Sequence, residues 1–446
     1  MTDGSSQGLT DGPAPSLRDA AAVWFRIGCL GFGGPAGQIA LMHRVLVDEK
    51  AWIDEDGFLA GLNFCMLLPG PEAQQLAIYV GWRVNGIIGA LIAGLLFVLP
   101  GAAVIFALSA LYIRFSDVGV VAGALHGVQA VVIAVVVEAL VRIARRALKS
   151  AAAYALAAAS FAAIFMYAVP FPLIIAGAAL AGFAASHARL DWFSLATPQG
   201  TASPHAATPL SIRQGLTASL VCLALWLVPV ALLVMLLGPD DIFSRLAVFF
   251  SQMAVVTFGG AYAVLAFVAQ QAVEGFGWLT PTQMVDGLGL AETTPGPLVL
   301  VLQFVGFLAA ANAGTGLSPL LAGLIGSVIV LWTTFLPCFA WIFAGGPFIA
   351  RLQRVKSLNA ALSAVTASVV GVMLNLSLWF AIHVLFARVG ELRAGPINVV
   401  MPDLASLDVF ALGLCVAALI ALLRFKMGLI AVLGAGAFLG AAGALV

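Results

Sequence analysis

Runs of about twenty apolar residues, separated by short polar punctuation, dominate the chain. In lipid the backbone must satisfy its own hydrogen bonds, so runs of that length predict membrane helices. The first set covers 20–42, 57–82, 85–113, 118–141, 151–168 and 171–187. The second covers 214–237, 246–273, 284–307, 317–345, 358–387, 407–423 and 428–446, about thirteen segments in all. Between the sets, residues 191–213 are rich in Pro, Ser and Thr and read as a linker. Residues 1–19 are polar, lack the basic start and apolar core of a signal peptide, and read as a disordered tail.

Four of the apolar runs are interrupted by residues that break helices. Phe32-Gly33-Gly34 is followed 37 residues later by Pro69-Gly70-Pro71. Phe258-Gly259-Gly260 is followed by Pro295-Gly296-Pro297 at the same distance of 37. Trp52 and Trp278 each lie 20 residues after their phenylalanine. Beyond the second Pro-Gly-Pro the offset between halves changes from 226 to 237, because ANAGTGLSP adds residues. Pro100 then matches Pro337, and Arg114 matches Arg351. Landmarks that hold register over this length indicate an internal duplication. The predicted units are a repeat at 20–190, the linker, a connecting helix at 214–237 and a second repeat at 246–446.

Composition fixes the class. The chain has 446 residues, 62% hydrophobic and 9% charged, with a mean hydropathy of +1.09. A soluble domain carries about 25% charge. A polytopic membrane protein is the consequence. The net charge of zero suggests no nucleic-acid partner. Arg142, Arg145, Arg146 and Lys149 follow run 118–141, whereas Arg351, Arg354 and Lys356 precede its match, 358–387. With both clusters on the cytoplasmic side, the matching helices run in opposite directions. The expected fold is therefore all-α, with two inverted-topology repeats containing broken or re-entrant helices. The linker and N-terminus would be cytoplasmic and the C-terminus outside. Arg388 and Arg393 then fall outside, partly offset by Glu391. Charge parity does not distinguish helices that break and cross from helices that turn back.

Inverted repeats with Gly/Pro-interrupted segments at corresponding places are a signature of secondary transporters, with the substrate at the breaks. A restarted helix presents unpaired N–H groups and the positive end of its dipole, which attract anions. The candidate oxyanion contacts are Gly33, Gly34, Pro35, Pro69, Gly70, Pro71, Gly259, Gly260, Pro295, Gly296 and Pro297. Hinges or packing kinks are the alternative reading. Arg26 can neutralise a dianion or instead snorkel to the surface. Gln38, Gln75 and Gln303 are neutral hydrogen-bonders near the breaks. Glu72 and Glu292 are candidates for proton coupling, although a carboxylate is also favoured in a first helical turn. His126, His383 and the five cysteines read as packing or capping residues. The sequence holds no GxxxxGK[ST] loop, HExxH or paired Cys/His motif, so no cofactor, metal site or enzymatic activity is expected.

The runs FGGPAGQIALMHR, LNFCMLLPGPEAQQLAIYVGW and LFVLPGA, with TFGGAYAVLAFVAQQAV and LAETTPGPLVLVLQFVGF, resemble the chromate ion transporter family (CHR) in its long two-repeat form. The resemblance covers the chain from about residue 20 to residue 446. It implies a bacterial-type inner-membrane carrier that exports chromate, driven by membrane potential or proton gradient, with sulfate as competitor and chromate resistance as the outcome. Many members carry His where this chain has Gln38, and not all have Glu72. Uptake or exchange of sulfate or another oxyanion, or an anion channel, are the alternatives. The partners expected are the oxyanion, protons and membrane lipid, with homo-oligomerisation left open.

Overall fold

The computed structural model describes residues 15–193, 211–258, 260–352, 355–394 and 397–445. Gly259, Arg354, most of the linker and most of the N-terminal tail lie outside the described residues. The described residues form an array of apolar helices, five of them long and apolar enough to cross a membrane.

Helix α1 (Leu17–Leu30) starts at Ser16, whose hydroxyl accepts from the Asp19 N–H, and stops at Gly31. Helix α2 (Gly34–His43) follows Gly33, which takes φ +84, and widens into a π-turn over Arg44–Glu49. Helix α3 (Glu55–Cys65) ends before Pro-Gly-Pro, and α4 (Glu72–Phe115) begins directly after it. Asn85 and Gly86 leave helical geometry and divide α4 into arms 72–84 and 87–115. Then come α5 (Gly119–Ala147), α6 (Ala151–Tyr167), α7 (Phe171–His187) and α8 (Ile212–Leu237). The second half continues with α9 (Ile242–Val256), α10 (Ala261–Gln270, with a π-turn over Gln271–Gly275) and α11 (Pro281–Thr293). It closes with α12 (Val301–Ala311), α13 (Pro319–Gly345), short α14 (Ile349–Leu352), α15 (Lys356–Leu385), α16 (Val409–Leu423) and α17 (Leu429–Gly443).

All four predicted interruptions are real breaks, and each is a reversal. Gly61 leaves no room for a Cβ against the Tyr79 ring, so α3 and α4 pack back to back around Pro-Gly-Pro. A straight helix would hold those residues about 27 Å apart. Gly287 meets Phe304 in the same way around the second Pro-Gly-Pro. Arg26 Nη1 lies 3.8 Å from Glu49 Oε2, which folds α2 back along α1. The Phe249 and Phe276 rings are 5.2 Å apart, and Arg245 lies over Phe276 at 5.0 Å, which folds α10 back along α9.

Small residues allow the closest approaches, as lipid-embedded helix packing favours. Gly81 faces Gly89 and Ala93 between the arms of α4, and Gly306 faces Gly326 and Val330 between α12 and α13. The terminal hairpins are exchanged between halves. Helices α16 and α17 pack on α5, with Gly436 against Gly127, whereas α6 and α7 pack on α15, with Gly182 against Ala360. One addition to the all-helical expectation is an antiparallel hairpin, β1 (Val389–Ala394) with β2 (Ile397–Pro402), Val389 opposite Pro402. Its short β-branched stretch, INVV, lies between two long apolar runs and was masked by them.

Candidate functional site

The breaks of one half meet those of the other. The Gly70 N–H donates to the Thr257 carbonyl at 2.9 Å, and the Gly296 N–H donates to the Gly31 carbonyl at 3.0 Å. Thr257 precedes Phe258, and Gly31 precedes Phe32, so the two bonds link corresponding positions in reciprocal directions. Gly70 takes φ +120 and Gly296 takes φ +94, a backbone conformation that L side chains avoid. A Cβ on Gly70 would press on Gln75 and on Cys338 Sγ. A Cβ on Gly296 would press on Leu300 and approach Gly101.

Buried glutamines bind the junction together. Gln38 Nε2 donates to Gly31 O at 3.2 Å and also to Gly296 O, so one amide ties two breaks from opposite halves. Gln75 Nε2 donates to Pro69 O at 2.7 Å, and Gln303 Nε2 donates to Ala102 O at 2.9 Å. The Oε1 atoms of Gln38, Gln75 and Gln303 are buried with no hydrogen-bond partner among the described residues. Those acceptors are available to a donor such as water or a protonated acid.

Four helical starts converge here, at Gly33, Pro71, Gly260 and Pro297, and none receives a side-chain cap. Several of the other helices do, through Ser16, Asp241, Thr280 and Ser318. Uncapped N–H groups within a bilayer need an acceptor, and an oxyanion supplies one. Positions Gly33 and Gly34 border open space, with no atom within 4 Å of an added Cβ. Pro35 opens α2, and Pro295 lies against Gly101. Glu72 Oε1 lies 4.0 Å from the Cβ position of Gly260, so the first half's carboxylate faces the second half's break.

Not every predicted residue gathers at the junction. The Arg26 side chain is 58% exposed and pairs with Glu49, which also pairs with Arg44 at 3.7 Å. His43 adds contacts to Asp48 and Glu55 in the same charged cluster. Glu292 is 5% exposed and accepts from the Tyr262 hydroxyl at 2.6 Å. His126, read from sequence as a packing or capping residue, hydrogen-bonds Asp408 at 2.8 Å. Sequence reasoning passed over Asp286, which is 3% exposed and holds Tyr112 and Gln129. An aspartate inside apolar run 284–307 was the available signal.

Comparison with known proteins identifies a family. The model of the chromate transporter family matches residues 18–183 and 244–441. A chromate transport protein of Pseudomonas aeruginosa is 34% identical over 385 residues, which is 83% of this chain and 82% of the relative. A chromate transport protein of Cupriavidus metallidurans is 30% identical over 364 residues, 80% of this chain and 81% of the relative. An uncharacterized transporter of Bacillus subtilis is 34% identical over 132 residues, which is 67% of that protein but 30% of this one. No solved structure matches the chain.

Proposed function

We propose that this chain, which belongs to the chromate transporter family, is a secondary carrier that moves chromate out of the cell across the inner membrane. The observation that carries the reading is the reciprocal pair of bonds, Gly70 to Thr257 and Gly296 to Gly31. It brings four uncapped helix starts to one place. Chromate would accept from those N–H groups, with the positive dipole ends offsetting its charge. Gly33, Gly34 and Gly260 offer the approach. The amides of Gly70 and Gly296 serve the junction instead of the ligand. Gln38 and Gln75 hold break carbonyls in place, and Gln303 ties α12 to the Ala102 carbonyl of α4. Gly259 joins the site by its place in the motif alone.

Two inverted repeats are the arrangement we infer for the scaffold. The first-half hairpins and the start of α8 lie together, where Gly215 contacts the Trp82 ring and the Phe343 carbonyl near the end of α13. The second-half hairpins begin beside the opposite end of α13, where Asp241 and Thr315 line one cavity with Trp278. Pairs of hairpins entering from opposite faces suit a rocking, alternating-access carrier. Lys149, Arg213, Lys356 and Lys426 fall on the first of these faces, which supports placing it in the cytoplasm, with the N-terminus inside and the C-terminus outside.

Export is favourable with the inside negative. Moving a dianion outward gains about 4.6 kcal/mol at 100 mV, at about 2.3 per charge, or roughly a 2,000-fold concentration ratio. Protons moving inward in exchange would add to this, with Glu72 and Glu292 as the carboxyls nearest the breaks. The test is chromate flux in inside-out membrane vesicles, with sulfate as competitor. Energised vesicles should accumulate chromate, saturably. Flux that is non-saturable and indifferent to the gradients would instead support a channel.

A further inference from the structure

Helix α11 carries two buried carboxyl groups six residues apart, Asp286 and Glu292, about 9 Å along its axis. Neither group is ion-paired with a lysine or arginine among the described residues. Asp286 is held by neutral donors instead. The Tyr112 hydroxyl of α4 donates to Oδ2 at 2.8 Å, and Gln129 Nε2 of α5 donates to Oδ1 at 2.7 Å. One turn earlier on α5 lies His126, whose Nε2 is 2.8 Å from Asp408 Oδ2 at the start of α16. The side chains of that pair are 38% and 33% exposed, one helical turn from Gln129. At the inner end, Glu292 is bonded by Tyr262 and lies three residues from Pro295, at the break itself. Arg142 and Glu138 of α5, paired with one another at 3.5 Å, are the charged groups next beyond Glu292. Helices α12 and α17 also pack on α11 and carry no ionisable side chain, and His383 of α15 is bonded to the Trp379 carbonyl of its own helix.

A lone carboxylate inside a membrane is costly, about 2.5–3.5 kcal/mol on insertion scales, and series of such groups mark proton relays. Neutral donors on both oxygens can hold the group in either protonation state, because the tyrosine hydroxyl can rotate to accept. The first half has no equivalent. Counting back 226 residues, Ala60 stands at the place of Asp286 and Met66 at that of Glu292. The pair of buried carboxyls is confined to the second half, and its partners Tyr112, Gln129 and His126 come from the first.

We propose that Asp286 is a proton-binding site, reached from the α16 face through Asp408 and His126 and passing protons along α11 by way of Glu292 to the oxyanion junction. The chemistry is proton transfer alone, between carboxyl, imidazole and hydroxyl groups. The coupling role rests on the carrier reading above, whereas the site itself does not.

Two measurements separate them. The first is pH-difference infrared spectroscopy of the purified full-length protein in lipid, with no substrate. A carboxylic-acid C=O band should titrate, disappear in Asp286→Asn and shift in frequency in Tyr112→Phe. A spectrum unchanged by both substitutions overturns the proposal, whatever the transport assay shows. The second is proton movement per chromate in proteoliposomes. Asp286→Asn should lose the chromate-dependent proton flux, and His126→Gln should shift its dependence on the pH at the α16 face. Wild-type coupling in a folded Asp286→Asn protein would overturn the relay. If Asp286→Asn does not fold, Tyr112→Phe decides: a shifted pH profile supports the relay, and a lower melting temperature with an unshifted profile overturns it. Wild-type protein that titrates at Asp286 but moves no chromate would refute the carrier reading alone.

Discussion

At the scale of single residues, the glycines of the breaks do two different jobs. Gly34 takes φ +68 and borders open space, so a side chain there strains the backbone without clashing. Gly34→Val should leave the fold intact and weaken chromate binding about tenfold, the equivalent of roughly 1.4 kcal/mol. Normal affinity in that variant would show that the break is only a hinge. Gly70 is packed against Gln75 and Cys338, so Gly70→Val should lower the thermal stability as well. Gln38→Leu strips the donor from the Gly296 carbonyl and should cost about 1–3 kcal/mol, whereas the Gly31 carbonyl keeps its bond from the Gly296 N–H. A melting temperature equal to the parent protein's would contradict the role given to that amide. Glu72→Gln should remove the pH-gradient dependence of transport; unchanged dependence would exclude Glu72 as the coupling group. These residues were legible in sequence because Gly, Pro and Gln are conspicuous in an apolar run. Asp286 was as conspicuous, but its partners Tyr112 and Gln129 lie 174 and 157 residues away, and only the folded chain joins them.

At the scale of elements, the sequence located the four interruptions but not their geometry. Hydrophobicity is the same whether a segment breaks and crosses or turns back, and a pair of crossings or a pair of reversals leaves the rest of the chain on the same faces. Side-chain packing decides it. Gly61 against Tyr79 and Gly287 against Phe304 are possible only in hairpins. The reversal inside Glu72–Phe115 was legible as a gap between two apolar runs, although Asn85-Gly86 alone makes the turn. Cysteines placed at Arg245 and Phe276 should therefore be joined by a short bifunctional reagent, since the guanidinium lies 5.0 Å from the ring. Failure to cross-link would mean that α9 and α10 continue in one direction, about 45 Å from end to end of that stretch. The β-hairpin at 389–402 escaped the reading because period-2 alternation over six residues is weak beside long apolar helices.

At the scale of the whole molecule, the proposed inverted repeats would make a two-sided device. Tags at the two termini should report opposite sides of the membrane; protection of both from the same side would break the inverted arrangement. The membrane class was the most legible feature at this scale, since 62% of the chain is hydrophobic and 9% charged. The exchange of terminal hairpins between halves was not legible, because small residues that pair across the interface are abundant throughout the sequence, with 47 glycines. The central claim is that the converged breaks form a chromate carrier driven outward. Chromate uptake by energised inside-out vesicles carrying this protein measures that directly, with Gly34→Val as the matched control. The account predicts saturable accumulation that sulfate inhibits, that collapses when the gradients are dissipated, and that needs about tenfold more chromate in the variant. Accumulation equal in vesicles with and without the protein, or unaffected by the gradients, would contradict it.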